Sequence, residues 1–389
     1  MRAFFLYIHP FFLHPIQQPI KPHTKSTPMV DTIVLLLSPS LYEIHEPDKF
    51  TPMGTPYRFK QNPTQAELRN GIYKPRLTLE KRMGVNGCVE NTLKIELSVP
   101  KLLFGNNFNE LRYKDIPPVI KKLQDVLHAM GVSVSKTALA DAPVLAIHYS
   151  KNMLFTDGST PYHYINKIKE SWVPAALDVN QTDYRNSGHS YKLHCNAYEL
   201  AFYDKIHDLE KAQRSSKRAI EKDNELQLNL LGTIRRKRKY EVLRMELRLN
   251  KRQKIKALFA QLGIKAPLTF SKLCKPAIAK KVLLHYMDTL AQKRTPLLNY
   301  TSTNSKALLS ELIINNSDLP PKQIFQLYGL KHALDIMTPR ELRVLFKHHN
   351  MRSWNRLISE AGRIKAPRVQ NVFDVLRVHL EKFKALRIY

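Results

Sequence analysis

Apolar and polar positions divide the chain into a strand-rich first part and a helical last part. Thr32-Ile33-Val34-Leu35-Leu36-Leu37, led in by Met29-Val30-Asp31, is a β-branched run that predicts a buried first strand. Val89–Val99 alternates as a strand does, and Pro100-Lys101-Leu102-Leu103-Phe104-Gly105-Asn106-Asn107 follows as a turn rich in glycine and amides. Pro117–Met130 sets Val119, Ile120, Leu123, Val126, Leu127 and Met130 at helical spacing, with Gly131 as a stop. Val144–Ser150 reads as a strand, and so does Tyr191–Lys205, although Ala197–Tyr203 is open to a helical start. In Glu241–Leu249 the residues Val242, Leu243, Met245, Leu247 and Leu249 point largely inward, while Arg244, Glu246 and Arg248 share the other face.

Beyond about residue 266 the pattern is helical: Lys272–Ala291, then short helices from Ser305 to Leu386. Thr338-Pro339-Arg340-Glu341 is a capped helix start, with a capping Thr, Pro at the first position and Glu three residues after the cap. Pro320-Pro321 and Gly329 punctuate the preceding pair, an order open to a helix-turn-helix or to an ordinary bundle. The expected fold is α+β: a mainly antiparallel sheet catalytic domain with helices on one face, followed by a helical C-terminal domain. The expected divisions are 1–28 as a non-conforming extension, 29–265 as the catalytic domain, 266–300 as a helical connector and 301–389 as the C-terminal domain. In the extension His9-Pro10 and His14-Pro15 interrupt the apolar stretch and no small-residue cleavage site follows, so it does not read as a signal peptide. Met29 is the expected natural start.

Charge then narrows the partner. Lys and Arg number 62 against 33 Asp and Glu, a formal net charge of +29. Such an excess favours a polyanion, because basic side chains gain free energy by releasing counterions condensed on phosphates. It peaks at Arg235-Arg236-Lys237-Arg238-Lys239, either a solvated face or a surface that tracks backbone phosphates. Cys88, Cys195 and Cys274 are too few and too scattered for a disulfide framework or a zinc cluster. No apolar run approaches the ~20 residues of a membrane span.

The chemistry-bearing segment is Tyr203-Asp204-Lys205-Ile206-His207-Asp208-Leu209-Glu210, followed by the charged strand Leu243-Arg244-Met245-Glu246-Leu247-Arg248-Leu249. Nicking and rejoining DNA needs a hydroxyl to attack a phosphodiester and a divalent ion to stabilise the developing charge. Tyr203 supplies the first, and nearby carboxylates offer ligands for the second. Lys205 is the candidate cation: near the phenol or the scissile phosphate it would favour phenolate attack and neutralise transition-state charge. Glu246 is a ligand candidate if its strand pairs beside that of Tyr203. A cross-strand salt-bridge ladder of Arg244, Glu246 and Arg248 is the competing reading. Tyr191 and Tyr198 stand as alternative nucleophiles.

From Met29 to about Gly362 the order of these elements resembles the replication initiators of filamentous phages, the gene II type. The resemblance is carried by the opening Met29-Val30-Asp31, the Ser98–Asn107 stretch, Tyr203-Asp204-Lys205 with Glu210, the Leu243-Arg244-Met245-Glu246 strand and the helical Lys306–Gly362. The Tyr-Asp-Lys and Arg-x-Glu pair also looks like plasmid initiators of the rolling-circle class. The resemblance implies a metal-dependent, site-specific DNA nickase and strand transferase that starts rolling-circle replication in the bacterial cytoplasm. Its partners are then the origin as single- and double-stranded DNA, with host polymerase and helicase, and its cofactor Mg²⁺ or Mn²⁺. By the same likeness Tyr203 is the nucleophile, Lys205 and Arg244 neutralise charge, and Glu246 and Glu210 bind metal. Lys101 and Arg235, Arg236, Lys237, Arg238 and Lys239 contact DNA. One departure stands out: where relatives carry Arg-x-Asp this chain has Ala146-Ile147-His148, so His148 takes the ligand place of a carboxylate. Neutral imidazole suits manganese or a borderline ion, and a hydrogen-bonded strand histidine is the other reading. The alternative function is a non-catalytic origin- or single-strand-DNA-binding protein on the same scaffold.

Overall fold

Alternating and β-branched runs form strands that pair antiparallel, the computed structural model shows. It describes residues 30–382 apart from 55–56, 84–88, 172–176, 178–182, 186, 214–240, 293–295, 301–303 and 367–371, together with Leu386. Among the described residues the strands are β1 (Val30–Leu37), β2 (Tyr42–Ile44), β3 (Thr51–Pro52), β4 (Arg58–Gln61), β5 (Arg76–Met83) and β6 (Val89–Ser98). They continue with β7 (Val132–Val134), β8 (Val144–Phe155), β9 (Asp183–Arg185), β10 (Ser190–His194), β11 (Tyr198–Asp204) and β12 (Glu241–Leu249). Ten make one sheet in the order β3-β4-β5-β6-β1-β8-β12-β11-β10-β9, and β2 pairs with β7. The α+β expectation therefore holds.

The run expected as one strand over Tyr191–Lys205 is a hairpin. Its tight turn at Cys195–Ala197 is closed by the Cys195 amide donating to the Tyr198 carbonyl at 3.0 Å, and the helical alternative for Ala197–Tyr203 is not adopted. The turn expected over Pro100–Asn107 is shorter than its composition suggests. Val99–Phe104 is a helix with Pro100 in its first turn, where a missing N–H costs nothing. Gly105, at φ +72°, ends it in the left-handed region that residues with a Cβ avoid. Only Gly105-Asn106-Asn107 remains as the turn.

One face of the sheet is apolar. Ile33 and Leu35 of β1, Ile147, Tyr149 and Met153 of β8, Leu200 and Phe202 of β11 and the odd-numbered leucines of β12 are buried in one core. The helices Ile116–Ala129, Pro161–Lys169, Arg252–Gln261, Pro276–Gln292 and Val372–Lys382 contribute to the same core. A second, wholly helical core gathers Leu297, Leu312, Leu327, Leu342 and Trp354. The helical region thus divides differently from the expected 266–300 and 301–389. Pro276–Gln292 is part of the sheet's core, a helical module spans roughly 297–366, and Val372–Lys382 returns to the sheet through Phe373, Leu376 and Leu380. The capping box at Thr338 forms as expected, with Thr338 and Glu341 each satisfying the other's backbone amide. Among the described residues no helix is long and apolar enough to cross a membrane.

Candidate active site on the polar face of the sheet

The opposite face of the three central strands is polar because alternation puts it there. β12 pairs with β11 so that Arg244 faces Tyr203, Glu246 faces Ala201 and Arg248 faces Glu199. On its other side the partners are Asn152, Ser150 and His148. These residues form one polar patch over β11, β12 and β8. Tyr191 and Tyr198 belong to the other face, where Tyr198 packs on Tyr286 and carries the Lys254 ammonium 4.5 Å over its ring. Of the three tyrosines weighed from the sequence, only Tyr203 shares a face with Arg244 and Glu246.

The Tyr203 hydroxyl donates to Glu246 Oε2 at 2.9 Å. Arg248 Nε donates to the other oxygen, Oε1, at 2.9 Å and its Nη1 lies 3.0 Å from Glu199. The ladder weighed from the sequence is present in part: Arg248 bridges a carboxylate on its own strand and one on β11, whereas Arg244 pairs with Asp31. His148 Nδ1 approaches Glu246 Oε1 at 3.7 Å. Burial would raise the Glu246 carboxyl, but the Arg248 and Arg244 guanidiniums overcome it and hold the group ionised, below the usual carboxylate range. Burial raises the Tyr203 phenol well above its ordinary value, against the pull of Arg244, so the hydroxyl keeps its proton at neutral pH. Burial also lowers His148, against the pull of Glu246, and leaves its imidazole neutral.

Arg244 is only 2 % exposed, and three chain segments far apart in sequence hold it. Its Nη1 donates to the Asn107 carbonyl at 2.8 Å, and its Nη2 donates to Ser150 Oγ at 2.8 Å and lies 3.1 Å from Asp31 Oδ1. Asn107 also accepts, through Oδ1, a hydrogen bond from the Lys205 ammonium at 3.0 Å. The Gly105–Asn107 turn thus ties both candidate cations together. Lys205 in turn sits 5.7 Å from the centroid of the Tyr203 ring and 4.0 Å from Asp208.

Asp31 reaches the patch through a bulge. β1 pairs Val30 with Tyr149 and Thr32 with His148, leaving Asp31 as the extra residue and turning its side chain onto the polar face. Next to it β8 outruns β1, and its free edge beyond Tyr149 is capped by Glu110. That carboxylate accepts from the Asn152 amide at 2.6 Å, the Lys151 ammonium at 2.8 Å and the Leu386 amide at 2.7 Å. Phe108, Ile206, Leu209 and Val242 close this end with a small apolar cluster.

Tyr203, Lys205, Arg244, Glu246 and His148 are therefore brought together. Glu210 lies on the helix Lys205–Gln213, two residues past Asp208, and at about 100° per residue it faces away from the side that carries Lys205 and Asp208. Lys101 is half-buried on the helix Val99–Phe104. Arg235, Arg236, Lys237, Arg238 and Lys239 lie outside the described residues. Asp31 and Asn107 lie in stretches that carry the resemblance, but like Ser150 and Glu199 they have no site role in the sequence reading. Glu199 had a usable signal, since alternation places it opposite Arg248.

Among the described residues no group of three or more His, Cys, Asp and Glu side chains is gathered to hold a metal ion. The donors present at the patch are Glu246 and the neutral His148. Asp31 Oδ1 adds a buried oxygen that makes no hydrogen bond despite its ion pair. A carboxylate beside a neutral imidazole suits manganese or a borderline ion better than Mg²⁺, and so sparse a set leaves most of the shell to water and substrate phosphates. No family model, curated protein or solved structure matches the chain.

Proposed function

We propose that the chain is a tyrosine-dependent DNA nickase and strand transferase of the kind that initiates rolling-circle replication. The observation that carries this reading is the Tyr203 hydroxyl donating to the ionised Glu246, with Arg244 directly across the strand pair. The resemblance to filamentous-phage initiators and the net charge of +29 supply the substrate class.

In the proposed reaction the Tyr203 oxygen bonds to phosphorus as the bond from phosphorus to the 3′ oxygen breaks. The products are a 5′-phosphotyrosine and a 3′-hydroxyl that ends with the proton the phenol gave up. One ester replaces another, so the energy for rejoining is retained. Glu246 orients the phenol and takes up its hydrogen bond. Arg244, fixed beneath by Asp31, Ser150 and Asn107, contributes positive charge without having to reorganise. A divalent ion held by Glu246 and His148 would polarise the phosphate. The run Arg235 to Lys239 is assigned to backbone phosphates rather than to bases.

The Arg248 ladder favours a second reading, in which Glu246 and Tyr203 are structural and the chain binds an origin without cutting it. Supercoiled origin DNA with Mg²⁺ or Mn²⁺, and again with chelator, separates the two. Relaxed circles with protein covalently attached support the nickase; a mobility shift with intact supercoils supports the binding protein.

A further inference from the structure

Round the end of β11 from the Tyr203 phenol, three aromatic side chains collect about one carboxylate. Ser187 and Gly188, at φ +54° and +88°, turn the chain into β10 and bring up His189. The His189 ring stacks on His207, with centroids 3.9 Å apart and planes 12° from parallel. Tyr162, at the start of the helix Pro161–Lys169, lies 5.5 Å from His189 at 49°. Asp204, the neighbour of Tyr203, orients the group. Its Oδ2 lies 3.2 Å from His189 Nδ1, while Oδ1 accepts from the Ile206 amide at 3.0 Å and the His207 amide at 2.9 Å. One buried carboxylate thus fixes the imidazole of one histidine and the backbone of the other.

The arrangement differs from a packed core and from a metal pair. Tyr162 is 44 % exposed and the His189 side chain 28 % exposed, more than core aromatics retain. Rings lying face to face present flat surfaces, whereas metal ligands converge their lone pairs on one point. Fixed, partly exposed flat rings, set on the other face of β11 from Tyr203 through its neighbour Asp204, are the elements of a base-stacking platform, which single-strand-binding proteins combine with positive charge. We infer that the His189–His207 stack, with Tyr162 at its side, is a platform for an unpaired base of the strand that Tyr203 cuts. The inference rests on the proposed function for the identity of that strand and adds where the protein grips it.

The test uses the full chain and a short, end-labelled single-stranded oligonucleotide carrying 2-aminopurine, whose fluorescence falls on stacking. The His189→Ala, His207→Ala double variant should bind the single strand roughly tenfold or more weakly and lose the quenching, with duplex binding unchanged. His189→Phe with His207→Phe, which keeps flat rings, should restore both, and this excludes a simple folding defect. Single-strand affinity and quenching equal to wild type in the alanine variant would overturn the platform, as would an equal loss on single-stranded and duplex DNA. Tyr203→Phe should bind and quench normally. Wild-type protein that quenches but never nicks would sink the nickase and leave the platform standing; nicking without quenching would do the reverse.

Discussion

Asp31 and Arg244 meet at 3.1 Å across the polar face, and they do so because one extra residue in β1 turns the carboxylate away from the apolar side. Arg244 is thereby anchored from β1, β8 and the Asn107 turn at once. The strand that carries it also carries Glu246, so the partner of the Tyr203 hydroxyl inherits the same rigidity.

Tyr203→Phe removes one hydroxyl and keeps the ring. It should abolish nicking and the covalent protein–DNA adduct while costing about 1 kcal/mol of stability, the value of one hydrogen bond to a charged acceptor that retains Arg248. Relaxation of supercoiled DNA and a denaturant titration check both parts, and residual nicking at the wild-type rate would move the nucleophile elsewhere.

Glu246→Gln leaves Arg248 and Arg244 without the carboxylate between them. Breaking a buried pair in this way should cost about 3 kcal/mol. Under the proposed function it should also raise the Mg²⁺ or Mn²⁺ concentration for half-maximal nicking by an order of magnitude or more. A stability loss with an unchanged metal titration would assign Glu246 to the ladder alone.

Stability should fall on the acid side in two steps. The unfolded chain protonates His148 near pH 6.5, whereas burial lowers that affinity in the fold, so stability declines as pH drops below about 6.5. Glu246, also lowered in the fold, adds a further loss below about pH 4.5. Tyr203 and Tyr149 are raised, so the unfolded chain loses their protons first and stability declines again as pH rises past about 10. Urea midpoints across pH should show this plateau. His148→Gln should reduce the slope between about pH 5 and 6.5, with His285 and His379, lowered by the same cause, leaving a residue of it.

Gly105→Ala forces a Cβ into the left-handed region at φ +72°, at a cost of about 1–2 kcal/mol. Because the next residues deliver Asn107 to both Arg244 and Lys205, nicking should fall further than stability explains. Activity matched to wild type at equal folded fraction would show that the turn does not position the site.

Leu376→Ala opens a cavity in the core shared by the sheet and the helix Val372–Lys382, and should cost about 2–5 kcal/mol. Leu327→Ala in the separate helical core should lower stability there while sparing the nicking of small supercoiled substrates. Equal loss of nicking from both would mean that the two cores work as one unit.

The readable parts of the molecule were those in which a single period ran unbroken. β12 alternates from Leu243 to Leu249, so its polar face followed from the sequence, whereas Val242, read inward with the leucines, lies on the other face in the cluster with Phe108. Thr338 and Glu341 carry a local capping signal that needs no partner from elsewhere, and it formed. Asp31 was hidden because a bulge inverts the face that strict alternation assigns. Asn107 was hidden because its role depends on tertiary placement, through its carbonyl to Arg244 as much as through its amide to Lys205. Glu210 is a ligand only by the family likeness, and no local pattern says that the chain turns helical at Lys205 and sets Glu210 on the side away from Asp208. The last helix was assigned to the wrong core because an apolar helical stripe does not say what it packs on.

The bulge residue Asp31 and the carboxylate Glu246 are made far apart in the synthesis of this domain. At about 5–20 residues per second, ten to forty seconds separate their emergence from a ribosome. Neither Tyr203 nor Arg244 acquires its full set of neighbours before then. A nascent or truncated chain holds the nucleophile without the groups that would arm it, so under the proposed function a cell is spared strand breaks from incomplete copies. The same long-range closure predicts slow refolding for the sheet, because distant segments must meet before Arg244 gains Asp31, Ser150 and Asn107.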